Sequence, residues 1–287
     1  MSHVRCCSTL LVMVFLTACS VAPSSNPLAE KWHTTRDKAA QLFQECHTES
    51  AMAEYRKVLH LAELRDDKPG IATARLNLGT IHLVRGDFRE AESQFTQARR
   101  GFEALNDAVS RLQSEINLAT LQVRQGHFEV GVAAYQPLLR QLDQEKTFPP
   151  VFHVMIWNGL AVAYGGLDRY PEAHAALDQA EREARERGFA RDLAATLMNR
   201  ARIHFKQGAL SVARQEVVQV LEMDRSLENL LGIGADLVLL GVIADREGET
   251  DSAQNHFRQA SHIFDYCGLE RSRIFSSDQM KYLNDGH

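Results

Sequence analysis

The sequence predicts an all-α fold built as a solenoid of stacked helix pairs, and three observations carry that expectation. Apolar residues recur at helical spacing rather than in strict alternation. The whole pattern returns about every 40 residues. Aromatic residues make up only 7% of the chain, which suits helices packed through Ala and Leu better than a sheet sandwich. Of the 287 residues, 45% are hydrophobic, so the chain has the apolar surface to build a core. Net charge is -5, and no run of Lys and Arg follows a phosphate backbone, which argues against a nucleic-acid partner. The mixed charges from Glu181 to Arg191 read as a solvated helix face.

The first element is a leader. Arg5 is the only charge before an apolar stretch from Leu10 to Leu16, which ends in Thr17-Ala18-Cys19. That run is too short to span a bilayer core as a helix, which takes about 20 residues. Leu16-Thr17-Ala18-Cys19 resembles the bacterial lipobox. The resemblance implies diacylglyceryl transfer to the Cys19 sulfur, cleavage before it, and no cofactor other than this covalent lipid. By the sorting rule of that class, Ser20 implies delivery to the outer membrane, with the body facing the periplasm. Val21 to Leu28 contains Pro23, Ser24, Ser25, Asn26 and Pro27 and reads as a flexible spacer. Beyond the leader and Cys19 only Cys46 and Cys267 remain. They fall near opposite ends of the expected solenoid, so the expectation is two separate buried thiols rather than a disulfide.

The repeats follow. One copy runs Asn77-Leu78-Gly79, His82, Gly86-Asp87-Phe88, Glu90-Ala91, Phe95 and Ala98. Its spacing returns at Asn117, Gly126, Gly131 and Tyr135, then at Leu160, Tyr164, Ala173, Leu177 and Ala180. It returns again at Asn199, Gly208, Ala213 and Val217, and at Gly241, Gly248, Ala253, Phe257 and Ala260. A weaker first copy has Ala39, Ala51, Tyr55 and Val58. Each copy reads as two amphipathic helices joined by a tight turn, with small residues where the helices cross. Asp87 with Glu90 predicts a capping box, and Pro171 falls in a helix first turn. Pro137 inside a predicted helix, and Pro149-Pro150 after it, predict a bend or altered twist between the third and fourth copies.

These copies resemble tetratricopeptide repeats in a longer version. Trp157, Leu160, Ala161, Tyr164, Ala173 and Ala180 match the family pattern most fully, whereas the first copy lacks its Trp and Gly. The resemblance implies a right-handed superhelical solenoid of about six helix-turn-helix repeats with a C-terminal capping helix, covering roughly Glu30 to Cys267. The expected organisation is a leader over 1–18, lipid-bearing Cys19 and spacer over 19–29, and a solenoid over 30–268. Its repeats fall near 30–68, 69–108, 109–148, 149–189, 190–229 and 230–268. A cap and tail over 269–287 follow, with Ser276 to Leu283 as the capping helix.

The resemblance also implies that the first helix of each pair lines a concave groove. Asn77, Asn117 and Asn199, with Asn158 one residue earlier, fall where the family points an Asn into that groove. Such amides could pair with an extended peptide backbone or satisfy neighbouring helices, and the residues alone leave both open. Thr80, Thr120 and Arg202 lie one turn further on, and Arg124 and Lys206 on the same strip suit an acidic or C-terminal carboxylate ligand. No His-Glu-x-x-His, paired Cys-x-x-Cys, Gly-x-Ser-x-Gly or Walker-type loop is present. Neither an enzyme nor a metal site is expected. The expected function is a lipid-anchored adaptor or scaffold of the bacterial envelope that binds a protein or peptide. A pilotin-like assembly factor for a secretion or pilus machine, and a peptide-sensing regulatory module, are the alternatives. The residues leave the partner's identity and the oligomeric state open.

Overall fold

The computed structural model describes residues 27–145, 147–275, 279, 280 and 283. The leader, Cys19 and most of Ser276 to Leu283 therefore lie outside the described residues. Twelve long helices form six antiparallel pairs: α1 (Pro27–Gln44) with α2 (Thr48–Leu64), α3 (Lys68–Arg85) with α4 (Phe88–Ala104), and α5 (Ala108–Arg124) with α6 (Phe128–Gln144). The next are α7 (Val151–Gly166) with α8 (Tyr170–Arg187), α9 (Ala190–Lys206) with α10 (Leu210–Ser226), and α11 (Leu230–Arg246) with α12 (Thr250–Tyr266). A short α13 (Arg271–Ile274) follows. The fold is an all-α repeat solenoid, as expected.

The repeating residues build this packing. Ala51, Ala91, Ala173, Ala213 and Ala253 are fully buried, as are Phe95, Tyr135, Leu177, Val217 and Phe257 one turn further along the second helices. Each large side chain so buried contributes about 1.5–3 kcal/mol. Their partners on the first helices are small: a β-carbon at Gly79 would stand 2.6 Å from Phe95 Cδ1, and one at Gly241 2.8 Å from Phe257 Cε1. The copies thus pack as the spacing predicts, with an aromatic ring pressed onto bare backbone.

The turns are equally regular. At most junctions one residue takes a left-handed conformation, for example Gly86 at φ 78°. There the Asp87 amide donates to the His82 carbonyl, closing the helix end. Three of the first helices, α3, α5 and α11, start on side-chain caps: Asp67 accepts from the Gly70 amide at 3.0 Å, Asp107 from Ser110 at 3.0 Å and Asn229 from Gly232 at 3.3 Å. Asp87 departs from the expected capping box. It is the N-cap of α4 but makes no side-chain cap, because its carboxylate is drawn to His82 Nδ1 at 3.2 Å and Arg85 Nε at 3.5 Å. Pro171 occupies the first turn of α8 as expected. Helix α6 continues through Pro137, and the extra residues fall in the loop before α7. Winding is uneven around it: the first helices lie closer together at α5–α7 and α7–α9 than at α3–α5 and α9–α11.

One expectation is overturned. Cys46 and Cys267 form a disulfide across 221 residues of sequence, with Cα atoms 4.7 Å apart. Neither is a free thiol. The superhelix curves far enough for its ends to meet, so distance along the chain was a poor guide to distance in space. Around the bond, Thr48 Oγ1 donates to the Cys267 carbonyl at 2.7 Å and Arg85 to the Gly268 carbonyl at 3.1 Å. His47 and Tyr266 rings lie 5.0 Å apart. The solenoid is a closed ring with a narrow seam.

Candidate functional site

Closing the ring converts the inner groove into a chamber. First helices α5, α7, α9 and α11 approach one another directly, while the second helices stand outside them. The first helices therefore form the inner wall, and all nine groove residues expected from the sequence lie on α3, α5, α7 or α9.

The structure gives these nine different roles. Asn158 Nδ2 donates to Thr196 Oγ1 at 2.9 Å, and Asn199 Nδ2 donates to Asn158 Oδ1 at 3.2 Å, so this part of the row staples α7 to α9. Asn117 accepts from Gln113 on its own helix at 3.2 Å. Thr80 and Thr120 return their hydroxyls to the Leu76 and Ile116 carbonyls, and Thr120 also meets Tyr135 Oη at 2.7 Å. Burial pushes that phenol up to about 12, against the effect of the Thr120 bond. Lys206 Nζ donates to the Gly165 carbonyl at 2.8 Å. Asn77 is half-buried and makes no hydrogen bond among the described residues.

Arg124 and Arg202 come together at a cavity of about 630 Å³ beside the seam. Both side chains are accessible to solvent yet flanked by protein, and the loss of hydration lowers both guanidinium pKa values. Arg202 is lowered further by Arg124, its like-charged neighbour. Neither forms an ion pair or hydrogen bond among the described residues. Facing them are Leu231, Ala235 and Val238 of α11, with Phe264, Ile274 and Val84.

Sequence reasoning did not reach this apolar wall. Its signal was present: α11 is apolar nearly all round, and a helix of that kind must be covered on more than one side. Behind the wall lies Asp236, fully buried, with neither oxygen in a hydrogen bond of ordinary geometry. Burial first, then the Asp224 carboxyl, push it up to about 8, while Arg202 opposes the shift. Burial raises Asp224 as well, so the two neighbouring carboxyls titrate as a coupled pair. Among the described residues no group of three His, Cys, Asp or Glu is placed to hold a metal.

Comparison with known proteins agrees with the geometry. Tetratricopeptide-repeat family models match residues 116–185 and 72–95. Tetratricopeptide repeats are thus detected in the α3–α4 and α5–α8 segments. A sequence comparison with curated proteins finds no significant match. Among solved structures, these repeats are similar to a Rap protein complexed with competence and sporulation factor, at 13% identity and TM-score 0.64, covering 83% of this chain and 76% of that one. They are similar too to aspartyl phosphate phosphatase F from Bacillus subtilis, at 12% identity and TM-score 0.60, covering 85% and 73%. BtubC from P. vanneervenii matches at 17% identity and TM-score 0.50, over 79% and 92%. At these identities the likeness is one of fold.

Proposed function

We propose that the protein is a lipid-anchored adaptor of the bacterial envelope that holds a protein or peptide partner against its inner wall. The observation that carries this reading is the wall itself. Tetratricopeptide repeats turn their first helices inward, and here those helices present half-buried amides and a cation pair that makes no ion pair among the described residues. Tethering rests on Leu16 to Cys19 and the Pro- and Ser-containing spacer. The Cys46–Cys267 disulfide supports a body in an oxidising compartment such as the periplasm, since such bonds are rare in the cytosol.

Likeness to the Rap protein complexed with competence and sporulation factor favours a second reading, a peptide-sensing module. A ring that must adjust around its ligand suits a sensor, whereas a covalently closed ring suits a rigid holder. The disulfide therefore weighs toward the adaptor.

The test is site-specific photocrosslinking in cells expressing the full chain. A photoreactive residue at Asn77 on the inner wall is compared with one at exposed Glu92 on α4. The adaptor reading expects a defined protein adduct from position 77 alone, in the membrane fraction, and its release from that fraction by Cys19→Ser. An adduct only from position 92 would place recognition on the outer face and refute the groove.

A further inference from the structure

The chamber beside the seam is built for a small ligand. Its volume of about 630 Å³ falls within the range of roughly 300–1,000 Å³ usual for small-molecule pockets. Helices from both ends of the chain enclose it, because the seam brings α3 and α12 to the same place. Leu231, Ala235 and Val238 are spaced as one face of α11, and with Phe264 and Ile274 they form a continuous apolar wall. Arg124 and Arg202 face into the same space from α5 and α9.

Neither cation of that pair forms an ion pair among the described residues. Two guanidiniums that line one cavity repel, and although water still reaches both, a negative group joining them there would relieve the repulsion. Arg85, a third cation on the lining, is paired with Asp87 and donates to the Gly268 carbonyl. Glu270, the acidic group on the lining, has a partner of its own. Asp236 lies within electrostatic reach of Arg202, but it is sealed behind the α11 wall, off the cavity lining, and makes no ion pair with it. A carboxylate meets a guanidinium in a two-pronged geometry, as phosphate does, and of the two it brings less further polarity to an otherwise apolar wall. The adjoining wall offers nothing to a second polar group and much to a hydrocarbon chain.

We propose that the chamber binds a small amphipathic monoanion, a carboxylate on a hydrocarbon body, its head between Arg124 and Arg202 and its body along α11 and α12. This assignment rests on the reading that the inner wall is the working surface. It makes the chamber a ligand site within the adaptor rather than part of the partner's footprint.

The full chain, held in a nonionic detergent, is titrated with octanoate by calorimetry, with octanol as the neutral match. Arg124→Gln and Arg202→Gln are run in the same detergent so that partition into micelles cancels. Expected is saturable binding of octanoate at one site per chain, weakened about ten-fold or more by either substitution, with Arg202→Lys intermediate and octanol giving no saturable heat. Circular dichroism checks that the variants keep the helical signal. A photoreactive octanoate analogue on the unaltered chain reads position independently, and should label α11 or α12. No saturable octanoate binding, equal binding of octanol, or labelling confined to other helices would overturn the proposal. So would saturable binding of acetyl-trileucine without octanoate binding, which would make the occupant a peptide end. Partner capture at position 77 is measured separately. Loss of octanoate binding with capture intact removes this proposal alone, and the converse removes the adaptor reading alone.

Discussion

Breaking the Cys46–Cys267 bond tests the closed ring most directly. The bond spans 221 residues, and the loop-entropy relation for a span of that length puts its effect on the unfolded chain at about 5 kcal/mol. What remains at the seam is small. Besides the His47–Tyr266 ring contact and Val84 packed against the last pair, the Thr48 and Arg85 hydrogen bonds to the Cys267 and Gly268 carbonyls contribute about 0.5–1.5 kcal/mol each, less than the covalent bond. In a solenoid each repeat leans only on its neighbours, so the reduced chain should open and fray at α1–α2 and α12 before the middle pairs melt. For a chain of this size the loss corresponds to a fall in melting temperature of about 10 °C or more. The assay is circular-dichroism melting of the unaltered protein against Cys46→Ser/Cys267→Ser, with hydrogen exchange to locate the change. An unaltered melting temperature, or seam amides equally protected in both, would refute the argument that the bond closes the ring. Alkylation of both thiols in the native, unreduced protein would refute it as well.

Other outcomes follow from single residues. Gly79→Ala should destabilise by about 1–3 kcal/mol, because the added carbon meets Phe95, itself fully buried and unable to move aside; the urea midpoint reads this. Asn158→Ala strands Thr196 and Asn199 between α7 and α9 and should cost about 1–3 kcal/mol, whereas Asn77→Ala should leave the urea midpoint unchanged and affect partner capture alone. Asp236 holds its proton more tightly folded than unfolded, since burial and Asp224 raise it to about 8. The folded state therefore binds the extra proton between the unfolded carboxylate range and pH 8, and stability falls as pH rises through that window, levelling off above it. Denaturation at points from about pH 5 to about pH 9 checks the slope across the upper part of that window. Asp236→Asn, which cannot ionise beside Asp224, Asn229 and Arg202, should flatten the slope and raise stability at the alkaline end.

Much of the architecture was legible because it depends on local chemistry. Helical spacing, small residues at crossings and one left-handed residue per turn act over a few residues, and they placed Ala91, Phe95, Tyr135, Ala173 and Phe257 correctly in the core. The inner strip from Asn77 to Lys206 was legible as positions on the first helices, but not as roles. Asn158 and Asn199 bond each other, and Lys206 a backbone carbonyl, because those outcomes depend on how closely neighbouring helices approach. Asp87 shows the same limit at short range: its cap was lost to His82 and Arg85, side chains the motif does not mention.

What the sequence alone determined, then, is the helix pair and its register. The tertiary structure decided the closure. Each repeat adds a small rotation set by its own packing, and only their sum over six pairs brings Cys46 to Cys267. No local pattern encodes that sum, so the disulfide, the chamber it closes and the meeting of Arg124 with Arg202 against α11 appear only when the whole ring is in view.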